Sequence, residues 1–143
     1  MNKVLILFIV MLVSNSLFAQ NTNAKDSASK TGKVYFLRST GLSFITKRFS
    51  LFIDDELVCK IDEKRYSLHQ LKPGKHFFSV QTGGTKPKQK GQQIDIKIEP
   101  GKSYYIQIIM QMDIWVSNII CQEVTENSAN KILSSLREEK DCL

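Results

Sequence analysis

Histidine is nearly absent from this 143-residue sequence, which holds two of them beside three cysteines, three prolines and one tryptophan. A zinc centre takes three or four converging donors, commonly from closely spaced Cys and His, and here that material is thin. His69 and His76 flank Pro73-Gly74 on neighbouring expected strands, where a hairpin would bring them near each other. Their parities differ, because His69 lies opposite Tyr66 and Leu68 whereas His76 shares a face with Phe78 and Val80. A surface His69, a structural His76, no metal and no cofactor are the expectation.

Catalytic fingerprints are missing as well. No strand, glycine loop and helix follow one another as a phosphate loop or dinucleotide site needs, and Gly83-Gly84 is a turn signal. A thiol nucleophile needs an accessible cysteine beside a base. Cys59 has no histidine close to it in sequence, and Cys142 sits in a tail expected to fray. The chain therefore reads as a non-enzyme without catalytic residues. A metal-dependent or thiol enzyme using His69, His76 and a cysteine stands as the alternative.

Long apolar runs are confined to the N-terminus. One positive charge at Lys3, ten apolar residues over 4–13, a polar Ser14-Asn15-Ser16 and then Leu17-Phe18-Ala19 form the layout of a secretory signal peptide. The run is short of the ~20 residues that span a bilayer. Residues 1–19 are expected to be removed after Ala19, with a retained anchor as the alternative. No cysteine near that point offers a lipid attachment, so the mature chain is not expected to be a lipoprotein or to keep a transmembrane span. The expected location is secreted or periplasmic.

Cleavage removes Lys3 alone among charged residues and leaves 19 basic against 14 acidic side chains. A mixed, solvated surface is the plain reading of that balance, and attraction to an anionic envelope component the sharper one. Cys59, Cys121 and Cys142 all survive processing, and their spacing selects none of the three single-bridge pairings. Buried or free thiols are expected, with a disulfide left open by export to an oxidising compartment.

What is present is a succession of strands. Residues 20–32 are polar and read as a flexible leader; 33–124 read as a β-sandwich domain and 125–143 as a C-terminal helix and tail. Strands are expected over 33–38, 48–54, 57–61, 65–71, 76–82, 93–99, 103–111 and 112–121, with hairpins at Asp54-Asp55-Glu56 and Pro73-Gly74. Pro73, Gly74, Pro100 and Gly101 are read as structural turns. Ile94, Ile96 and Ile98 alternate cleanly with polar residues, while apolar residues on both parities of 103–111 predict a strand covered on both faces. Ala129, Ile132, Leu133 and Leu136 recur at helical spacing and predict a helix over 128–140. The fold class is mainly β, an antiparallel sandwich of about seven or eight strands with one C-terminal α-helix.

The candidate binding residues are Lys86, Lys88 and Lys90, alternate lysines in an exposed loop over 82–91. Lys72, Lys75 and Lys102 are expected to join them at one anion-attracting end. Nucleic acid is not an expected partner, because basic residues are not interleaved with exposed aromatics; Phe77, Tyr105 and Trp115 read as core or helix-packing side chains.

Tyr35-Phe36-Leu37-Arg38, Phe52-Ile53-Asp54-Asp55, Tyr66 with Leu68, Leu71-Lys72-Pro73-Gly74-Lys75-His76 and Pro100-Gly101-Lys102-Ser103-Tyr104-Tyr105 form a pattern. It resembles a family of small exported bacterial proteins of unknown function, β-sandwiches related in style to PEGA domains. The resemblance spans about 33–123 and departs from the usual pattern at Asp55-Glu56, where glycine commonly follows the aspartate. It implies a sandwich and export, with no catalytic residue to carry over. The expected function is that of an exported non-catalytic module that binds or scaffolds in the cell envelope, its partner an envelope protein or an anionic envelope component. A structural subunit of an envelope complex is the further alternative.

Overall fold

The computed structural model describes residues 30–39, 47–87, 93–112 and 117–143. The expected signal peptide, Lys88, Lys90, Asp113 and Trp115 lie outside the described residues. Among the described residues, nine strands and one helix follow in order: β1 (Gly32–Arg38), β2 (Phe49–Ile53), β3 (Glu56–Ile61), β4 (Arg65–Leu71), β5 (Gly74–Thr82), β6 (Ile94–Ile98), β7 (Ser103–Met112), β8 (Ser117–Val124), α1 (Glu126–Leu133) and β9 (Arg137–Glu138). They build two sheets, one ordered β8-β7-β1-β4-β9 and the other β3-β2-β5-β6. Two faces packed on each other make a sandwich.

Alternation explains what lies between them. Val34 and Phe36 of β1, Leu51 of β2, Ile61 of β3, Phe78 of β5, Ile98 of β6 and Ile106 of β7 are fully enclosed in one cluster. Each such side chain contributes about 1.5–3 kcal/mol by leaving water. The opposite parity of the five-stranded sheet forms a second cluster, in which Leu37 and Tyr105 are buried against Ala129 of α1, with Ile132, Leu133 and Leu136 packed beside them. Tyr35 stacks on Tyr105 at 5.1 Å between ring centroids. The strand expected to be covered on both faces is β7, with Ile106 inside the sandwich and Tyr105 under the helix.

The chain changes sheets more often than its turns suggest. Asp54-Asp55 makes a true hairpin between β2 and β3, with φ of 52° and 66° at the two residues; this is the doubly left-handed loop that usually takes glycine. The aspartates offset that cost by bonding outward. Phe77 N donates to Asp54 Oδ1 at 3.0 Å and Gln93 Nε2 donates to Asp55 Oδ1 at 2.7 Å.

Pro73-Gly74, in contrast, does not join a hairpin. β4 pairs with β1 along its length and with β9 at Arg65 and Tyr66, whereas β5 crosses to the other sheet and pairs with β2 and β6. Residues 72–73 arch from one sheet to the other, and Pro100-Gly101 does the same between β6 and β7. Gly74 (φ 146°) and Gly101 (φ 74°) supply backbone angles that a side chain would resist. A proline–glycine pair shortens and reverses a connection whichever sheet receives it.

The helix is also shorter than its apolar stripe. Thr125 caps it, its side chain accepting from Ser128 N. It stops at Leu133 because Ser134 and Ser135 turn their hydroxyls back onto Lys131 O and Ile132 O at 2.9 and 2.8 Å. Leu136 keeps its place under the sheet from outside the helix. Residues 137–138 then add the unexpected ninth strand, parallel to β4. Among the described residues no helix is long and apolar enough to cross a membrane.

Candidate functional site

The tail expected to fray is a strap across the open side of the sandwich. After α1, Arg137 N donates to Lys64 O at 3.1 Å and Glu139 N to Tyr66 O at 2.7 Å, which fixes the segment to the edge of the five-stranded sheet. It then passes to the other sheet. Asp62 N donates to Glu139 Oε2 at 3.1 Å, Arg48 Nη2 to Asp141 O at 2.8 Å and Lys60 N to Cys142 O at 2.6 Å. A disulfide between Cys142 and Cys59 of β3 secures the end. The expectation of buried or free thiols holds for Cys121 alone. Spacing carried no sign of the bond, because 83 residues separate its ends and the fold alone brings them together.

His69 lies beside that bond. One ligand atom each of Cys59, His69 and Cys142 falls within 4.8 Å of the others, with Cys59 buried and the other two partly so. The surface His69 of the sequence reading is therefore corrected. Its ring stands edge-on to Phe36 at 5.6 Å, its Nε2 meets Ser67 Oγ at 3.1 Å, and the neighbouring Leu68 takes the outward position. Tyr66 and Leu68 mark the outer face of β4, and an odd-numbered histidine on that strand points inward. Burial holds the His69 imidazole below its ordinary pKa of 6.5, favouring the neutral ring.

His76 stays apart from this group, in the other sheet. Its Nδ1 contacts Asp54 Oδ2 at 2.6 Å and its Nε2 contacts Lys72 O at 2.9 Å, so both ring nitrogens are engaged in holding the β2–β3 turn against β5. Cys121 sits in the core, where burial pushes its thiol up to about 12. That thiol is a poor nucleophile at neutral pH. The trio of His69, His76 and a cysteine thus divides, with His69 and two cysteines in one place and His76 in another.

Strand register sorts the lysines. β1 pairs Arg38 with Arg65, β4 pairs Arg65 with Arg137, and β2 pairs Phe49 with both Ile61 and Thr82. Those residues define one end of the sandwich, which carries Lys47, Lys64, Arg65, Lys86 and Arg137. Lys72, Lys75 and Lys102 belong to the opposite end, alongside Gly32, Leu71 and Gly74. They do not join Lys86. Two of them are also neutralised locally, Lys75 by Asp95 and Lys102 by Glu99, each at 2.6 Å.

At the basic end a cleft of about 310 Å³ opens between Glu63, Lys64, Arg65, Ser135 and Arg137. Its lining acid, Glu63, lies 3.9 Å from Arg38, and outside the lining Arg48 takes Asp62 at 3.4 Å and Glu139 at 3.7 Å. Lys64, Lys86 and Arg137 are exposed and have no ion pair among the described residues. Arg38 closes this end from within. Its guanidinium is buried, donates to Ile61 O at 2.8 Å and Lys47 O at 3.1 Å, and lies 3.6 Å over the Phe49 ring. Its parity, shared with Val34 and Phe36, was the available sign that it points inward.

No curated protein and no solved structure matches the chain. A family model described as "Protein of unknown function (DUF2846)" matches residues 28–119, from just before β1 into β8. Cys59 and His69 fall inside that span, whereas α1, β9 and Cys142 follow it. With the greater part of both sheets inside the match, the chain belongs to the DUF2846 family of proteins of unknown function.

Proposed function

We propose that this chain is an exported, non-catalytic β-sandwich module that binds or scaffolds in the cell envelope, with its basic end as the partner surface. The observation that carries the reading is the placement of Lys64, Lys86 and Arg137 at one end, exposed and without an ion pair among the described residues, where Lys64 and Arg137 line a cleft whose lining acid, Glu63, lies 3.9 Å from Arg38. Unneutralised cations beside a concave surface attract anionic groups, such as an acidic envelope component. Lys88 and Lys90, outside the described residues, follow Lys86 in the sequence and carry the same sign of charge.

The Cys59–Cys142 bond supports export, since disulfides persist in secreted and periplasmic proteins and are rare in the cytosol. The N-terminal charged, apolar and small-residue order supports it from the sequence side. Likeness in style to PEGA domains belongs to the same proposal and rests on the turn motifs.

Sedimentation of the purified mature chain with isolated envelope fractions tests the reading. The triple variant Lys64→Glu, Lys86→Glu, Arg137→Glu is expected to lose at least tenfold in retention, and raised salt to weaken the wild type in the same way. Equal retention of variant and wild type contradicts the assignment of the basic end.

A further inference from the structure

We infer that Cys59, His69 and Cys142 form a thiophilic metal site in the reduced protein, taking one closed-shell d¹⁰ ion, Zn²⁺ or Cu⁺, through two thiolates and one imidazole. The donor set is assembled by the fold. Cys59 is held in the β2–β3 ladder, His69 in the β1–β4 ladder, and Cys142 at the end of the strap that spans the two sheets. Their ligand atoms lie within 4.8 Å of one another, and donors around one tetrahedral zinc stand about 3.3–3.8 Å apart given Zn–S and Zn–N bonds near 2.3 and 2.0 Å. On reduction the two sulfurs, bonded to each other in the disulfide, move apart to that spacing by rotation of their side chains while the imidazole closes in.

Softness and surroundings suit the ion class. Thiolate with imidazole selects Zn²⁺ or Cu⁺ over hard oxygen-seeking cations, and the group sits against Phe36 with Cys59 withdrawn from water. The Ser67 hydroxyl at 3.1 Å holds the imidazole in place, the kind of supporting contact that orients metal-bound histidines. Three protein donors leave a trigonal site for Cu⁺ or an open fourth position on Zn²⁺.

The disulfide and the metal exclude each other. A dithiol reductant transfers two electrons and two protons to the Cys59–Cys142 bond, forming two thiols and leaving the reductant as its own disulfide; the ion then displaces the two thiol protons. In either state the strap remains tied to β3, by a covalent bond in one and by the metal in the other. The site thus links the closure of the sandwich to the redox and metal status around it.

The test uses the full mature chain, reduced with a phosphine under anaerobic conditions and equilibrated separately with Zn²⁺ and Cu⁺ in the presence of a competing chelator. After desalting, metal per chain is measured and X-ray absorption reads the first shell. The expected result is about one ion per reduced chain, a shell of two sulfurs and one nitrogen, and no uptake by the oxidised chain. The arm with the stronger retention identifies the ion. His69→Ala is expected to weaken binding at least tenfold and Cys121→Ser to leave it unchanged. A reduced wild type that takes up neither ion, or a first shell without nitrogen, overturns the inference even where a variant fails to fold.

Discussion

Arg38 shows how much one polar side chain can organise. At the end of β1 it occupies a core position yet satisfies the carbonyls of Ile61 and Lys47 and covers Phe49. Burial lowers its pKa, and Glu63 first and Asp62 second counter that, so the guanidinium remains charged. Arg38→Ala strips two acceptors of their donor and leaves a cavity; it is expected to lower stability by about 3–5 kcal/mol in urea unfolding. His69 makes a prediction about pH. Its folded pKa lies below the ordinary 6.5, so its contribution is present above that pH and is lost as pH falls through and below it. The urea midpoint of the oxidised protein is expected to drop between pH 7.5 and 5, and His69→Phe to flatten that drop; an equal decline in both proteins contradicts the assignment.

Among the elements, the strap of β9 and its following residues is the one that completes the fold. It pairs in parallel with Arg65 and Tyr66 of β4 and reaches β3 through Cys142. Cys142→Ser opens a covalent loop with ends 83 residues apart and is expected to cost about 2–5 kcal/mol, mostly through the unfolded chain. Urea unfolding of the variant against oxidised wild type measures it. Hydrogen exchange should then quicken first at the amides of Lys60, Asp62 and Glu139, the donors that face the strap contacts.

At the scale of the whole molecule, the basic end and the strap share one side of the sandwich, and the sequence disclosed them unequally. Alternation in residues such as Ile94, Ile96 and Ile98 made the strands legible, and the stripe from Ala129 to Leu136 made the helix legible. Pairing was not. Pro73-Gly74 has the same local chemistry in an arch as in a hairpin, and the difference lies in the non-local pairing of β5 with β2 and β6. Arg137 and Glu138 pair through backbone alone, which leaves no mark on side-chain pattern. Lys86 fell within the expected binding loop, but Lys64 and Arg137 come from distant parts of the chain and share its end of the sandwich only through register.

Everything distinctive about the molecule depends on the link between β3 and the C-terminus. Non-reducing peptide mapping by mass spectrometry, on protein recovered from its native host under acid quench, examines that link directly. The account predicts a cross-linked peptide pair containing Cys59 and Cys142, with Cys121 recovered as a free thiol. Recovery of Cys59 and Cys142 as unlinked thiols in metal-free protein, or a bond from either to Cys121, would contradict it.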